Sequence, residues 1–443
     1  MEEGKLRFAW VIGTTWIQAM AASGELARKF LELTVENPNQ VTSANVDAAS
    51  NAPIRRADSG GMVIVDQDIY LQNSIGKQMA DLVLPAATWG EMDFTRANGE
   101  RRLRLYSKFT DPPGDAKPDW WIIAGFAKKM GFSGYDWESS NQIFEESARF
   151  GRNRHRNYHP LVWLAQREGR NAHELLRDMG THGIQLPIRW FQDMPRYDQV
   201  YLDYIGTYET RDNGVIVGTK RLHDTTLDLG LPQGPTVHKK WYTHFKTHSG
   251  KAVLSKSPWE WFSGFYERIT PRGDEMWVTN GRVNELWQSM FDDSRKPYVM
   301  QRWPENHVEI HPDDAARYGI ESGDEVVIES DDILIQTGGW SLVKGDEFLF
   351  SKLEENGLIK TGSGSCKAVA FVTDAVRPGV LFTDFLWALG WPQTEANSLV
   401  HRVPDPITNR YRFKLGKGKI RKTGESPYKR SFEKMTFAPR TII

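Results

Sequence analysis

The sequence predicts an α/β domain, a helical connector and a C-terminal β domain closed as a barrel. Two patterns carry this prediction. In the first hundred residues strand-like apolar runs alternate with helical periodicity, as in a parallel sheet that binds ligands at the C-terminal ends of its strands. From about residue 266 onward, short strands alternate with glycine turns and one short helix, as in a closed barrel. A chain of 443 residues exceeds what one small core organises. The expected divisions are 1–110 (partial α/β domain), 111–265 (helical and irregular connector) and 266–443 (β-barrel).

The elements follow in order. Leu6 to Ile12 reads as a buried strand, and Leu26, Phe30 and Leu33 share a helical face that Asn37-Pro38 ends. Gly61 to Val65 and Asp81 to Pro85 are two more strands, with a short helix between them. Thr95 to Leu105 carries Arg96, Arg101, Arg102 and Arg104 beside Asn98-Gly99, which reads equally as a solvated turn and strand or as a polar shelf for an anion. After the turn Asp111-Pro112-Pro113-Gly114, Trp120 to Met130 is a helix with Asp119 at its start, Lys128 and Lys129 in its last turn and Gly131 beyond. Residues 139–180 hold three more short helices, and Asn213-Gly214 signals a hairpin.

In the last part, Pro312 opens a short helix with Asp313 and Asp314 in its first turn, and Gly319 ends it. Glu325 to Glu329, Val369 to Thr373 and Gly379 to Phe382 are strands. The tail Arg412, Lys414, Lys417, Lys419, Arg421, Lys422 alternates with Tyr411, Phe413 and Leu415, the pattern of an edge strand with one wet face.

Composition narrows function. Hydrophobic content of 40% with 26% charge is that of a water-soluble globular chain. No apolar run reaches the roughly 18 residues of a membrane span, and Gly379 to Pro392 is interrupted by Asp384. Met1-Glu2-Glu3-Gly4-Lys5 leads straight into a strand, which is not the basic start and apolar centre of a signal peptide. A net charge of −1 argues against nucleic acid as partner. A single cysteine, Cys366, excludes an internal disulfide and is too few for an iron–sulfur cluster; within Gly362-Ser363-Gly364-Ser365 it reads as a loop thiol. Seventeen tryptophans suit a ligand face or, more commonly, core and interface.

The phosphate-loop, dinucleotide-fold, zinc-protease and serine-hydrolase signatures are absent. His155/His159, His244/His248 and His307/His311 stand four apart without an evident third ligand. The richest stretch is Trp277 to Ser289. It reads as a strand, then Asn280-Gly281, a pair that tolerates positive φ, then Arg282, Asn284 and Gln288; such a corner suits a rigid anion or a plain hairpin.

Several segments together resemble a known family. They are Leu84 to Glu91 with Asn98 to Arg102, Ser249 to Ala252, Thr279 to Arg282, Pro312 to Ala315 with Gly323-Asp324, and Glu395 to Leu399 before Asp405-Pro406. In this order they resemble the C-terminal half of the molybdopterin oxidoreductases of the dimethyl sulfoxide reductase superfamily. Within it, Asn98 to Leu105, Lys108-Phe109, Asp111 to Gly114 and Asn280 to Gln288 look most like the large subunit of arsenite oxidase, a branch shared with iodate reductases.

The resemblance implies a molybdenum bis(molybdopterin guanine dinucleotide) cofactor held by Thr279, Asn280, Gly281, Arg282, Asn284 and Gln288, by Asn98 and Arg101 across a shared cleft, and by Asn397, Tyr411 and Arg412. It implies a small oxyanion substrate with arsenite oxidation favoured over iodate reduction, a Rieske-type small subunit as partner and a periplasmic location. The family's iron–sulfur segment, substrate funnel and metal-facing residue would precede Met1, so the chain is half of such an enzyme and no catalytic residue is assigned to it. Ile12-Gly13-Thr14-Thr15 departs from the family's Gly-x-Asn-Pro, so no cofactor role is carried to Gly13. Asp331 to Ser365 reads as an insertion in the barrel. A tryptophan-rich binding module without redox activity is the expectation of another class.

Overall fold

The computed structural model describes residues 5–34, 61–70, 79–97, 102–151, 158–186, 188, 211–212, 215–216, 254, 257–287, 290, 292–343, 348–387, 389–390 and 392–433. Strand β1 (Phe8–Ile12), helix α1 (Ser23–Thr34), strand β2 (Val63–Asp68) and strand β3 (Leu82–Pro85) begin the chain, with sheet order β1-β2-β3. β1 and β2 are parallel, Phe8 opposite Val63 and Ile12 opposite Gln67. Phe30 of α1 packs with Val11 of β1 and Ile64 of β2 and with the adjoining Ile17 and Met62 in one core, because the two strand side chains leave the sheet on the face that the helix covers. The helix expected between β2 and β3 lies outside the described residues.

Next come β4 (Phe94–Ala97), β5 (Arg102–Tyr106), α2 (Asp119–Lys129), α3 (Ser140–Gly151), α4 (His159–Arg167), α5 (Ala172–Asp178) and β6 (Ile184–Gln185). The strands pair in the order β4-β5-β6. Leu161, Leu164, Leu175 and Leu176 of two helices pack with Leu103 and Ile184 of two strands. α5 opens with reciprocal capping: Glu174 N donates to Asn171 Oδ1 (3.0 Å) and Asn171 N donates to Glu174 Oε2 (2.9 Å). β7 (Arg211–Asp212) and β8 (Val215–Ile216) pair antiparallel on either side of Asn213-Gly214.

The remaining elements are α6 (Trp259–Ile269), β9 (Met276–Gly281), α7 (Pro297–Arg302), β10 (His307–Ile310), α8 (Pro312–Tyr318), β11 (Asp324–Gln336), α9 (Phe350–Glu355), β12 (Ile359–Val372), β13 (Val380–Asp384), β14 (Gly416–Glu425) and α10 (Lys429–Glu433). Six strands pair in the order β10-β12-β11-β14-β9-β13, and β13 pairs back to β10. Val278, Val308, Ile310, Ile328, Ala370, Leu381 and Ile420 fill the ring. α8 carries the end signals read from sequence, with Pro312 at its start and Gly319 left-handed (φ +63°) at its end. Two compact units result, Met1–Leu84 with Ser255–Ile443, and Pro85–Leu254.

Four local expectations are corrected. Cys366 is not on a loop: it is a fully buried residue of β12, and burial pushes its thiol up. The glycines before it belong to a strand because the 3-10 turn Ala396–Leu399 packs on them, so closely that a Cβ on Gly364 would run into the Ser398 carbonyl. The basic tail is not an edge, since β14 pairs with β11 on one side and β9 on the other. His311 does not share a strand face with His307; it caps α8, its Nδ1 accepting from Asp313 N (3.2 Å). Asn280-Gly281 is no positive-φ turn but the end of β9. The ends of the stretch Asp331 to Ser365, expected as an insertion, extend β11 and β12, whose pairing runs on to Gln336 opposite Ile359.

Candidate functional site

The site is built where β9 and β13 end side by side. They run parallel, placing Thr383 opposite Asn280 and Asp384 opposite Gly281. Gly281 is required for space: a Cβ there would meet the Phe382 ring at 2.7 Å. Asn280 points inward, buried, and its Nδ2 donates to Asn397 Oδ1 (3.0 Å). Asn397 Nδ2 in turn donates to the backbone oxygens of Gln18 (2.7 Å) and Phe385 (3.3 Å), so the two amides tie four segments together. The turn carrying Asn397 is fixed by its own backbone N donating to Glu395 Oε1 (3.1 Å) and by Ser398 Oγ, 2.5 Å from Ser365 O.

The N-terminal segment closes over this corner. Ala22 N donates to Val400 O (2.8 Å), Arg402 Nε donates to Ala21 O (3.2 Å), and Gly24 lies where a Cβ would be 3.0 Å from Ser398 Cβ. The buried end of β9 is thereby shielded from water, which strengthens each of these hydrogen bonds.

Cations and aromatic rings gather beside it. Arg282 is exposed, with its guanidinium 5.7 Å over the Phe385 ring, and Asn284 is exposed two residues on. Lys414 donates to the Asn280 carbonyl, and burial lowers the pKa of its ammonium. Tyr411, Arg412, Phe413 and Lys414 line a cavity of about 620 Å³ with Trp259 and Phe262. Arg412 lies 5.7 Å over the Phe262 ring and its Nη2 pairs with Asp405 (3.3 Å), while its Nε makes no hydrogen bond. Burial pushes the Asp405 carboxyl up, but hydrogen bonds from Thr408 and Ile407 and the Arg412 charge outweigh it and leave the carboxyl below its ordinary value.

Of the residues expected to hold a cofactor, the structure thus brings together Asn280, Gly281 and Asn397, sets Arg282 and Asn284 just beyond them, and places Tyr411 and Arg412 on the neighbouring cavity. Thr279 is half-buried one residue before Asn280 in β9. Asn98, Arg101 and Gln288 lie outside the described residues, and so does the cleft expected between the two arginine corners. Sequence reading did not distinguish Lys414 within the basic tail, nor Gln18, which carries no motif. Among the described residues no cluster of three or more His, Cys, Asp or Glu is placed to hold a metal ion.

Residues 3–129 match the molybdopterin oxidoreductase family and residues 276–332 the molydopterin dinucleotide binding domain. The iodate reductase subunit IdrA of Denitromonas iodatirespirans is 52% identical over 450 residues, covering 100% of this chain and 47% of that protein. That of Pseudomonas sp. (strain SCT) is 49% identical over 448 residues, with 100% and 47% covered. The arsenite oxidase subunit AioA of Herminiimonas arsenicoxydans is 30% identical over 287 residues, covering 61% of this chain and 30% of that protein. The chain therefore spans about half the length of the curated relatives it matches most fully.

The matched binding segment begins at Met276, the first residue of β9, so Thr279, Asn280, Gly281, Arg282 and Asn284 lie within it, while Asn397, Tyr411, Arg412 and Lys414 lie beyond it. The donors of the site suit a dinucleotide. Phosphates need cations, and Arg282, Arg412 and Lys414 stand there, with Arg412 Nε left over. A flat heterocycle needs amides and rings, supplied by Asn284 and by the aromatic cavity wall.

Proposed function

We propose that this chain is the cofactor-binding half of a molybdenum oxidoreductase that reduces iodate. The observation that carries the substrate is the gap in identity. Two iodate reductase subunits match all of the chain at 52% and 49%, while the arsenite oxidase subunit matches part of it at 30%. This reverses the preference for arsenite drawn from the motifs alone, which the two branches share.

In this reading Arg282, Arg412 and Lys414 hold phosphate oxygens and Thr279, Asn284 and Gln288 bond pterin or sugar edges, joined by Asn98 and Arg101. Asn280 and Asn397 shape the floor from behind, since their side-chain groups already bond each other and the backbone. When bound, the bis(molybdopterin guanine dinucleotide) group supplies the two-electron exchange with the oxyanion; the protein supplies position, charge and exclusion of water. Each oxygen taken from the oxyanion uses two electrons and two protons and leaves as water. The electrons would come through an iron–sulfur cluster and a Rieske-type small subunit, in the periplasm, as proposed from the family resemblance. Among the described residues no helix is long and apolar enough to cross a membrane.

The test is an assay of the cofactor-loaded protein with both substrates. Reduced dye should be consumed with iodate much faster than oxidised dye is reduced with arsenite. Turnover with arsenite and none with iodate would overturn the substrate assignment and leave the cofactor assignment standing.

A further inference from the structure

Behind the Asn280–Asn397 pair lies a buried acidic pair that the cofactor reading does not use. Glu395 is wholly buried and Asp384 is 1% exposed. One oxygen of each is satisfied: Asn397 N donates to Glu395 Oε1 (3.1 Å) and Leu386 N to Asp384 Oδ1 (2.9 Å). The other oxygens, Glu395 Oε2 and Asp384 Oδ2, have no hydrogen-bond partner. Gln18, from the N-terminal segment and wholly buried, faces Glu395, yet neither atom of its amide meets a partner in hydrogen-bond geometry.

Among the described residues no cation is paired with either acid. The titratable groups that face the pair are Cys366 from β12, acted on by both acids, and Asp293 from the 3-10 turn Asp293–Arg295, which acts on Asp384. Asp293 is itself held by Lys296 (3.1 Å). Among the described residues neither Asp384 nor Glu395 enters an ion pair. A carboxylate sealed from water with no opposite charge is costly, and the charge of Asp384 adds to that cost at Glu395, so both acids retain protons. Burial accordingly pushes Asp384 up to about 7 and Glu395 well above its ordinary value.

The pair also sits where two parts of one unit meet. Glu395 is two residues from Asn397, which bonds Gln18 O, and Asp384 ends the strand beside Gly281. We propose that Asp384 and Glu395 form a carboxyl latch that, while protonated, holds the segment 15–22 on the barrel, and that they are positioning residues for the Asn280–Asn397 amide pair. When the pair gives up its protons to entering water, two like charges face each other behind Asn397. The segment then lifts and the floor of the site loses its support. The proposal goes beyond the cofactor reading and does not depend on it, because the latch is read in the chain without any ligand.

Hydrogen exchange tests it. The Ala22 amide, bonded to Val400 O, reports the seam, and amides of β12 serve as internal reference. After correction for the intrinsic rate, the opening equilibrium at Ala22 should rise about tenfold per pH unit for each proton released, from about pH 4.5 to about pH 7. The β12 reference should stay flat. Glu395→Gln keeps shape and removes charge, so it should reduce the slope, and Asp384→Asn with Glu395→Gln should abolish it. If the double variant does not fold, Asp384→Asn alone must still lower the slope. A parent with no pH dependence at Ala22, or a slope that survives the isosteric variants, overturns the latch.

Discussion

Arg282 and Gly364 occupy opposite extremes of tolerance. The Arg282 side chain is exposed and lies over the Phe385 ring, so Arg282→Ala should change unfolding free energy by no more than about 0.5 kcal/mol. Gly364 has no such freedom. Any side chain there is driven into the Ser398 backbone, which the Ser398 hydroxyl and the neighbouring β12 strand hold in place. Gly364→Ala should cost about 1–3 kcal/mol, the usual penalty for overpacking, measured as a lower midpoint in urea. Equal midpoints for the parent and Gly364→Ala would show that the turn can move away from β12. The same glycine explains a misreading. A Gly-Ser-Gly-Ser run has loop character by composition, and only the turn packed on it, some thirty residues later in sequence, makes small residues a requirement of a strand.

At the scale of elements, β11, β14 and α6 are fastened by one carboxylate. Asp332 accepts from both terminal nitrogens of Arg268 (2.7 Å each) and from Lys417 Nζ (2.9 Å). Burial pushes the Asp332 carboxyl up, but Arg268 and Lys417 outweigh it and bring it down to about 2. Because the folded value is depressed, the contribution to stability is present above the ordinary carboxyl value near 4 and is lost as pH falls through about 2. Asp332→Asn should therefore be less stable than the parent at pH 7, and the gap should close by pH 2; a gap independent of pH would assign the loss to packing. The strand β14 carrying Lys417 shows what alternation conceals. Basic residues in alternation read as a wet edge, yet Lys417 is buried and paired, since Gly416 and Gly418 let β14 fit between two neighbours. α8 was legible because its signals, Pro312, two acids and Gly319, act within the helix itself. Lys414 was not, because nothing local tells which cation of a basic run reaches β9.

In the whole molecule, residues far apart in sequence make one corner. Gln18, Asn280, Asp384 and Asn397 come from the first part of the chain, β9, β13 and the turn before β14, and lie in the same compact unit. The motifs located Asn280, Gly281 and Asn397 through resemblance, while the hydrogen bonds among them and to Gln18 are visible only once the chain is folded. In the proposed reading they divide the roles: the buried amides would support, and the exposed Arg282 and Asn284 with the cations of the adjacent cavity would bind. The most direct measurement is therefore the guanine nucleotide released on denaturing the purified, cofactor-loaded protein, compared between the parent and the Arg282→Ala, Asn284→Ala double variant. The account predicts guanine nucleotide from the parent and several-fold less from the variant at an unchanged unfolding midpoint. Equal amounts from both, or none from the parent, would contradict it.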